Sequence, residues 1–191
     1  MSPKPLVLDL ETQFTFQEVG YDPKKLKVSV VGLYNYSTEK YEAYREERFA
    51  ELFSVLEHAS EIIGFNIDKF DLPVLSPYYV GNMNQFITMD LLAEVEKVLG
   101  FRVALDDLAR ATLGEKKNGH GLMAIDFFRN GEWDKLIRYC LHDVEITKAL
   151  YEYGKKEGKV YLLSAAGKRE IPVSFVSRKS SQSAVSLSLP I

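Results

Sequence analysis

The chain has 191 residues, enough for one domain with a sizeable core, and its 46% hydrophobic and 27% charged content is ordinary for a globular protein. No apolar run approaches the about 20 residues that a bilayer needs, and residues 1–12 enter a strand at once without a signal-peptide layout, so neither a membrane protein nor a secreted one is expected. A net charge of −3 lacks the basic bias of many nucleic-acid binders, although acids that hold metal would count toward it. One cysteine, Cys140, excludes an intramolecular disulfide. With three histidines it argues against structural zinc, and it suits a reducing cytoplasm.

Residues 6–10 (LVLDL) read as a short buried strand, and the period of two puts Asp9 and Glu11 on one face. Residues 27–36 and 40–44 are rich in β-branched and aromatic side chains and extend it as an antiparallel meander. A helix over 46–58 carries Phe49, Leu52, Phe53 and Leu56 on one face, and 62–65 (IIGF) form a short apolar strand ending at Asn66.

Beyond Asn66 the pattern turns mostly helical. Helices are expected over 70–79, with Pro73 tolerated in the first turn, and over 91–99, capped by Asp90 after a short strand at 86–89. Two more follow at 104–112, with Asp106 and Asp107 as capping residues, and at 123–129, divided by the polar loop 114–121 (GEKKNGHG). The longest helix should run over 132–155. Residues 160–163 and 171–176 read as a β-hairpin around Ala166-Gly167-Lys168, and 177–191 as a serine-rich flexible tail. The expected organisation is one domain over 1–157, a hairpin extension of that same domain over 158–176, and the tail.

Chemistry enters through four acids. Asp9 and Glu11 share a face at the end of a strand that should be central. Asp71 lies where a short strand passes into a helix, a position that also suits a helix N-terminus. Asp143 lies in the long helix with Tyr139 one turn before it on the same face. Each has a bland reading as a solvated, capping or locally bonded acid. Converging together they would repel, and hard divalent cations that prefer oxygen ligands would make the cluster tolerable. A pair of such ions is suited to in-line displacement at a phosphodiester. The phenol of Tyr139 could orient the attacking water.

The segments DLET, NIDKFD and YCLHD, in this order and spacing, resemble the three motifs of the DEDD exonucleases, and Tyr139 resembles the mark of their tyrosine subgroup, DEDDy. The resemblance spans about residues 5–155. Its flanks are also similar to small RNase H-like exonuclease domains found alone or beside helicases. It implies an α/β, ribonuclease H-like fold with a mixed central β-sheet flanked by helices. It implies that Asp9, Glu11, Asp71 and Asp143 hold two Mg²⁺ or Mn²⁺ ions, that Tyr139 positions water, and that nucleoside 5′-monophosphates leave from 3′ ends of single-stranded DNA or RNA. Thr12, Asn66 and Phe70 become substrate-binding candidates, Asn66 alternatively as support for the site and Phe70 as buried packing. Gln13 and Phe14 depart from the small residue or glycine that often follows E-T in the family. A helicase or polymerase is a candidate partner. The alternatives are a non-catalytic RNase H-like module that binds nucleic acid or protein, and a different RNase H-like nuclease such as a structure-selective endonuclease.

Weaker signals surround these. Lys116 and Lys117, on a glycine-bearing loop, are candidate phosphate contacts or merely solvated. Phe14, Phe16 and Tyr34 read as core packing or as base-stacking surfaces. Arg102, Arg110, Arg129, Arg138 and His142 read as surface residues, and Cys140 as a packed structural thiol.

Overall fold

The structure, a computed structural model, describes residues 2–114, 121–164 and 167–176. Strands β1 (Leu6–Thr12), β2 (Val28–Asn35), β3 (Lys40–Tyr44), β4 (Ile62–Gly64) and β5 (Thr88–Asp90) form one sheet in the order β3-β2-β1-β4-β5. β1, β2 and β3 make the expected antiparallel meander, whereas β4 pairs parallel to both β1 and β5, so the sheet is mixed. The helices are α1 (Phe49–Glu57), α2 (Asp71–Leu75), α3 (Leu91–Leu99), α4 (Leu105–Leu113), α5 (Gly121–Arg129) and α6 (Trp133–Glu157). A separate antiparallel hairpin, β6 (Lys159–Ser164) and β7 (Gly167–Pro172), follows α6. This is a ribonuclease H-like architecture, a five-stranded mixed sheet flanked by helices with a C-terminal hairpin.

Alternation along β1 divides two cores. Leu6, Leu8 and Leu10 join the core that buries Phe49, Leu52, Phe53 and Leu56 of α1. Val7 joins the opposite core with Val144, Ile146 and Leu150 of α6. Asp9 and Glu11 share the face of Val7, so the acids at the end of β1 lie on the α6 side of the sheet.

Several boundaries differ from the sequence reading for identifiable reasons. The helix expected over 70–79 is split into α2 and a 3₁₀ turn at Ser76–Tyr78, because Pro77 offers no N–H to continue an α-helix. The first turn of the helix expected from residue 46 is likewise 3₁₀, at Glu46–Arg48. The second hairpin strand begins at Gly167 and ends at Pro172, earlier than the apolar run 171–176 suggested. Its outer positions are polar, so hydropathy could not mark it.

The hairpin does not extend the main sheet. Val160, Ile171 and Phe175 enter the α6-side core beside Tyr151. Phe175 stands so close to Gly154 of α6 that a Cβ there would come within 2.3 Å of its ring. Among the described residues, no helix is long and apolar enough to cross a membrane.

Candidate active site

The end of β1 and the middle of α6 meet at a cavity of about 430 Å³, lined among others by Asp9, Glu11, Thr12, Phe70, Tyr139 and Asp143. One carboxylate oxygen from each of Asp9, Glu11 and Asp143 lies within 4.8 Å of the other two. Asp143 is only 5% exposed and Tyr139 9%, so α6 offers these polar groups from its buried face, with the fully buried Thr147 one turn further on. Such a trio is suited to share a hard cation, because each oxygen offers a lone pair and their mutual repulsion falls when positive charge is present. A larger cavity of about 560 Å³, lined by Lys24, Asp68 and Asn84 among others, has a single acid and no such convergence.

Asp71 is placed differently. It is 2% exposed at the start of α2 and is neither one of the trio nor part of the cavity lining. Burial, with a further contribution from the charge of Asp90, pushes its carboxyl up to about 8. Backbone hydrogen bonds, including one from Leu10 between Asp9 and Glu11, pull the other way. Asp71 is thus bound to the same strand end as the other acids, but outside the cavity lining.

The helix comes close to the sheet because of Gly32, which the sequence reading did not single out. Gly32 pairs with Asp9 across β1 and β2, and a Cβ there would lie 2.9 Å from Cys140 Sγ and 3.0 Å from Val144 Cγ2. A glycine inside the β-branched run VSVVGLY was the available signal, since an interior strand glycine often marks a close approach. Cys140 is fully buried, and its thiol donates to the Asp9 carbonyl oxygen at 3.5 Å. Burial, together with the nearby charges of Asp9, Glu11 and Asp143, raises the thiol well above its usual range, which suits a structural role.

The remaining candidates divide. Thr12 is buried, lines the cavity and donates its hydroxyl to the Phe14 carbonyl at 3.0 Å. Phe70 also lines the cavity, as do Phe14 and Phe16, while Tyr34 is a core residue. Asn66 does not line it. Its backbone takes a left-handed φ of +68°, its N–H donates to Asp90 Oδ1 at 2.9 Å, and its Oδ1 accepts from Arg102 at 2.7 Å. That arrangement resembles the supporting role more than direct contact. Lys116 and Lys117 lie outside the described residues.

Asp90 does cap α3, accepting from Ala93 N, and it also binds the backbone of Asn66 and Asp68. It therefore ties α3 to the segment that leads into Asp71. Asp106 and Asp107 are first-turn acids rather than caps, because the N-cap of α4 is Ala104. Arg102 and Arg129 are exposed, yet each holds a partner distant in sequence. Arg129 pairs with Glu18 at 2.6 Å.

Residues 6–154 match the family described as the RNase_H superfamily. Among solved structures, the family B DNA polymerase of the hyperthermophilic archaeon Pyrobaculum calidifontis is similar in fold, with a TM-score of 0.61 and 18% identity over 78% of this chain. The E. coli Exonuclease I structure with a 5cy-dT13 oligonucleotide gives a TM-score of 0.47 and 15% identity over 82% of this chain. The chain spans 24% of that polymerase chain and 41% of that exonuclease chain. No curated protein matches the sequence.

Proposed function

Since the chain belongs to the RNase H superfamily, we propose that it is a DEDDy-type 3′→5′ exonuclease that shortens single-stranded DNA or RNA and releases nucleoside 5′-monophosphates. The observation that carries this reading is the trio Asp9, Glu11 and Asp143, with oxygens within 4.8 Å, sharing a cavity with Tyr139. Asp71, held against Leu10, is the fourth acid. These donors fit hard divalent cations, and the four would hold two Mg²⁺ or Mn²⁺ ions. When bound, the ions would polarise the scissile phosphate and offset charge on the attacking and leaving oxygens.

The chain's own groups do the rest. The Tyr139 hydroxyl, fixed on α6 one turn before Asp143, hydrogen-bonds the attacking water and orients it toward phosphorus. Thr12 shapes the floor at the bulge where β1 leaves its register with β2. Phe14 and Phe70 offer apolar faces to the terminal nucleotide, and Leu122 and Ile125 of α5 form another part of the wall. Gly32 and Cys140 set the approach of α6 to the sheet, and so the spacing of the acids. Residues 1–157 form the catalytic domain in this reading, with 158–176 its extension. A cytoplasmic location and a helicase or polymerase partner complete it.

The test is a time course on 3′-labelled DNA and RNA strands with Mg²⁺ or Mn²⁺, resolving product length. Mononucleotides should accumulate from the first time point, and circular single strands should resist. Asp9→Ala and Asp143→Ala should abolish hydrolysis, and Tyr139→Phe should slow it by roughly 10²-fold or more, the usual share of a proton-handling group. Intact substrate under every condition would instead leave a non-catalytic module.

A further inference from the structure

Beyond the acids, the loop after β1 carries an unusual backbone at Gly20 and Tyr21. Both residues take left-handed φ values, +67° and +64°. Glycine adopts that conformation freely, but a bulky aromatic does so under strain that its surroundings must hold. Here a bonded loop holds it. Tyr21 N–H donates to the Phe16 carbonyl at 2.8 Å. Glu18 accepts from both the backbone and the hydroxyl of Thr15, at 2.8 and 2.9 Å, and from Arg129 of α5 at 2.6 Å.

This construction does not bury the aromatic rings it carries. Tyr21 is 69% exposed and Phe16 39%. Their planes lie within 14° of parallel, with centroids 6.3 Å apart, and Phe16 leans on Phe70 at 5.8 Å. Phe70 and Phe16 line the cavity that holds Asp9, Glu11, Tyr139 and Asp143, whereas Tyr21 lies outside its lining. Three rings therefore lead in file from the acids to open solvent.

We propose that Phe16 and Tyr21 extend the site as a stacking track for the bases of a single strand upstream of its 3′ end, an inference that rests on the exonuclease reading above. Every base has a π face, so aromatic stacking holds a strand with little regard to sequence and cannot hold bases that remain stacked in a duplex. The chain's charge supports this division of labour. The net charge of −3 gives the chain no overall basic bias, so stacking on these rings would add affinity that does not depend on phosphate neutralisation. Lys24, Lys25 and Lys27 are exposed three to six residues after Tyr21, with Lys25 paired to Asp22 at 3.8 Å, and can attract a backbone whose bases lie on the rings. The Glu18–Arg129 pair fastens the loop to α5 and holds Phe16 at the cavity rim.

Binding tests this without hydrolysis. The full chain in EDTA is titrated into 5′-fluorescent oligothymidylates of two to ten nucleotides and followed by anisotropy. Affinity should rise with length. Phe16→Ala and Tyr21→Ala should each weaken the eight-nucleotide strand by about 5-fold to 100-fold, the range for one lost stack, and Tyr21→Ala, outside the cavity lining, should leave a dinucleotide within about twofold. Tyr21→Phe should bind like the parent. Tyr21→Gly removes the ring while relieving the left-handed strain, so it should weaken binding as alanine does even if Tyr21→Ala alters the loop. Wild-type affinity in the Phe16→Ala, Tyr21→Ala and Tyr21→Gly variants would overturn the track, as would a loss for the dinucleotide equal to that for the eight-nucleotide strand in the Tyr21 variants. Ring-dependent binding without nuclease activity in Mg²⁺ or Mn²⁺ would sink the exonuclease reading and leave the track. Nuclease activity with ring-independent binding would do the reverse.

Discussion

Gly32 lies opposite Asp9 in the pairing of β1 with β2, and its missing side chain is where Cys140 and Val144 of α6 press against the sheet. Adding one methyl there should push α6 outward. Asp143 and Tyr139 move with that helix, so its displacement separates them from Asp9 and Glu11. Gly32→Ala is expected to cost about 1–3 kcal/mol of stability, as overpacking of a tight core does, and to depress hydrolysis more than its effect on folding explains. Denaturant melts beside single-turnover rates check this. Cys140→Ala in the same chain should restore part of both, because it removes the 2.9 Å contact but leaves the one with Val144. An unchanged rate in Gly32→Ala would mean that the helix can shift without disturbing the acids. The acids were readable as residue types at suitive spacings, whereas Gly32 acquires its role only through a side chain more than 100 positions away.

Among the elements, the hairpin β6–β7 best separates pattern from packing. Its apolar residues Val160 and Ile171 could equally have paired edge-on with a sheet, and only the structure places them against α6 and its neighbours. Phe175 follows β7, stacks near Tyr151 with centroids 6.3 Å apart, and fills the space that Gly154 leaves open. Phe175→Ala should therefore destabilise the fold by about 3–5 kcal/mol, the usual cost of an emptied aromatic site. Ending the chain at residue 157 should cost more, since it uncovers Leu150 and Tyr151 together. Thermal melts of the two variants check this, and a truncated chain as stable as the parent would show that the hairpin is dispensable. α2 shows the opposite limit. Its apolar residues Leu72, Val74 and Leu75 announce a buried helix, but two prolines in seven residues shorten it.

For the whole molecule, the buried acids tie stability to pH and to metal. Asp71 has its carboxyl raised to about 8 by burial, far above the ordinary range, so the folded chain retains a proton that the unfolded chain releases. That contribution is fully present below the ordinary carboxylate pKa and is lost as pH rises toward about 8, with a limiting slope of about 1.4 kcal/mol per pH unit for one proton. In EDTA the protein should melt at progressively lower temperature between about pH 5 and 8. Mg²⁺ or Mn²⁺ should raise the melting temperature more at pH 8 than at pH 6, because ligation requires the ionised carboxylate. A flat profile in EDTA would show that Asp71 ionises without penalty in the fold.

By itself, the sequence determined the periodicities of β1 and α6, the order of the acids along the chain and their pairing with Tyr139, because these follow from local spacing at 2 and 3.6 residues per repeat. Only the tertiary structure decided which acids meet. It brought Asp9, Glu11 and Asp143 within 4.8 Å, buried Asp71 outside that trio, turned Asn66 toward Arg102, and left Phe16 and Tyr21 exposed beside the cavity. The reason is that these relations depend on how α6, α2 and the loop after β1 pack against one sheet end, and no local pattern encodes a distance between segments far apart in the chain.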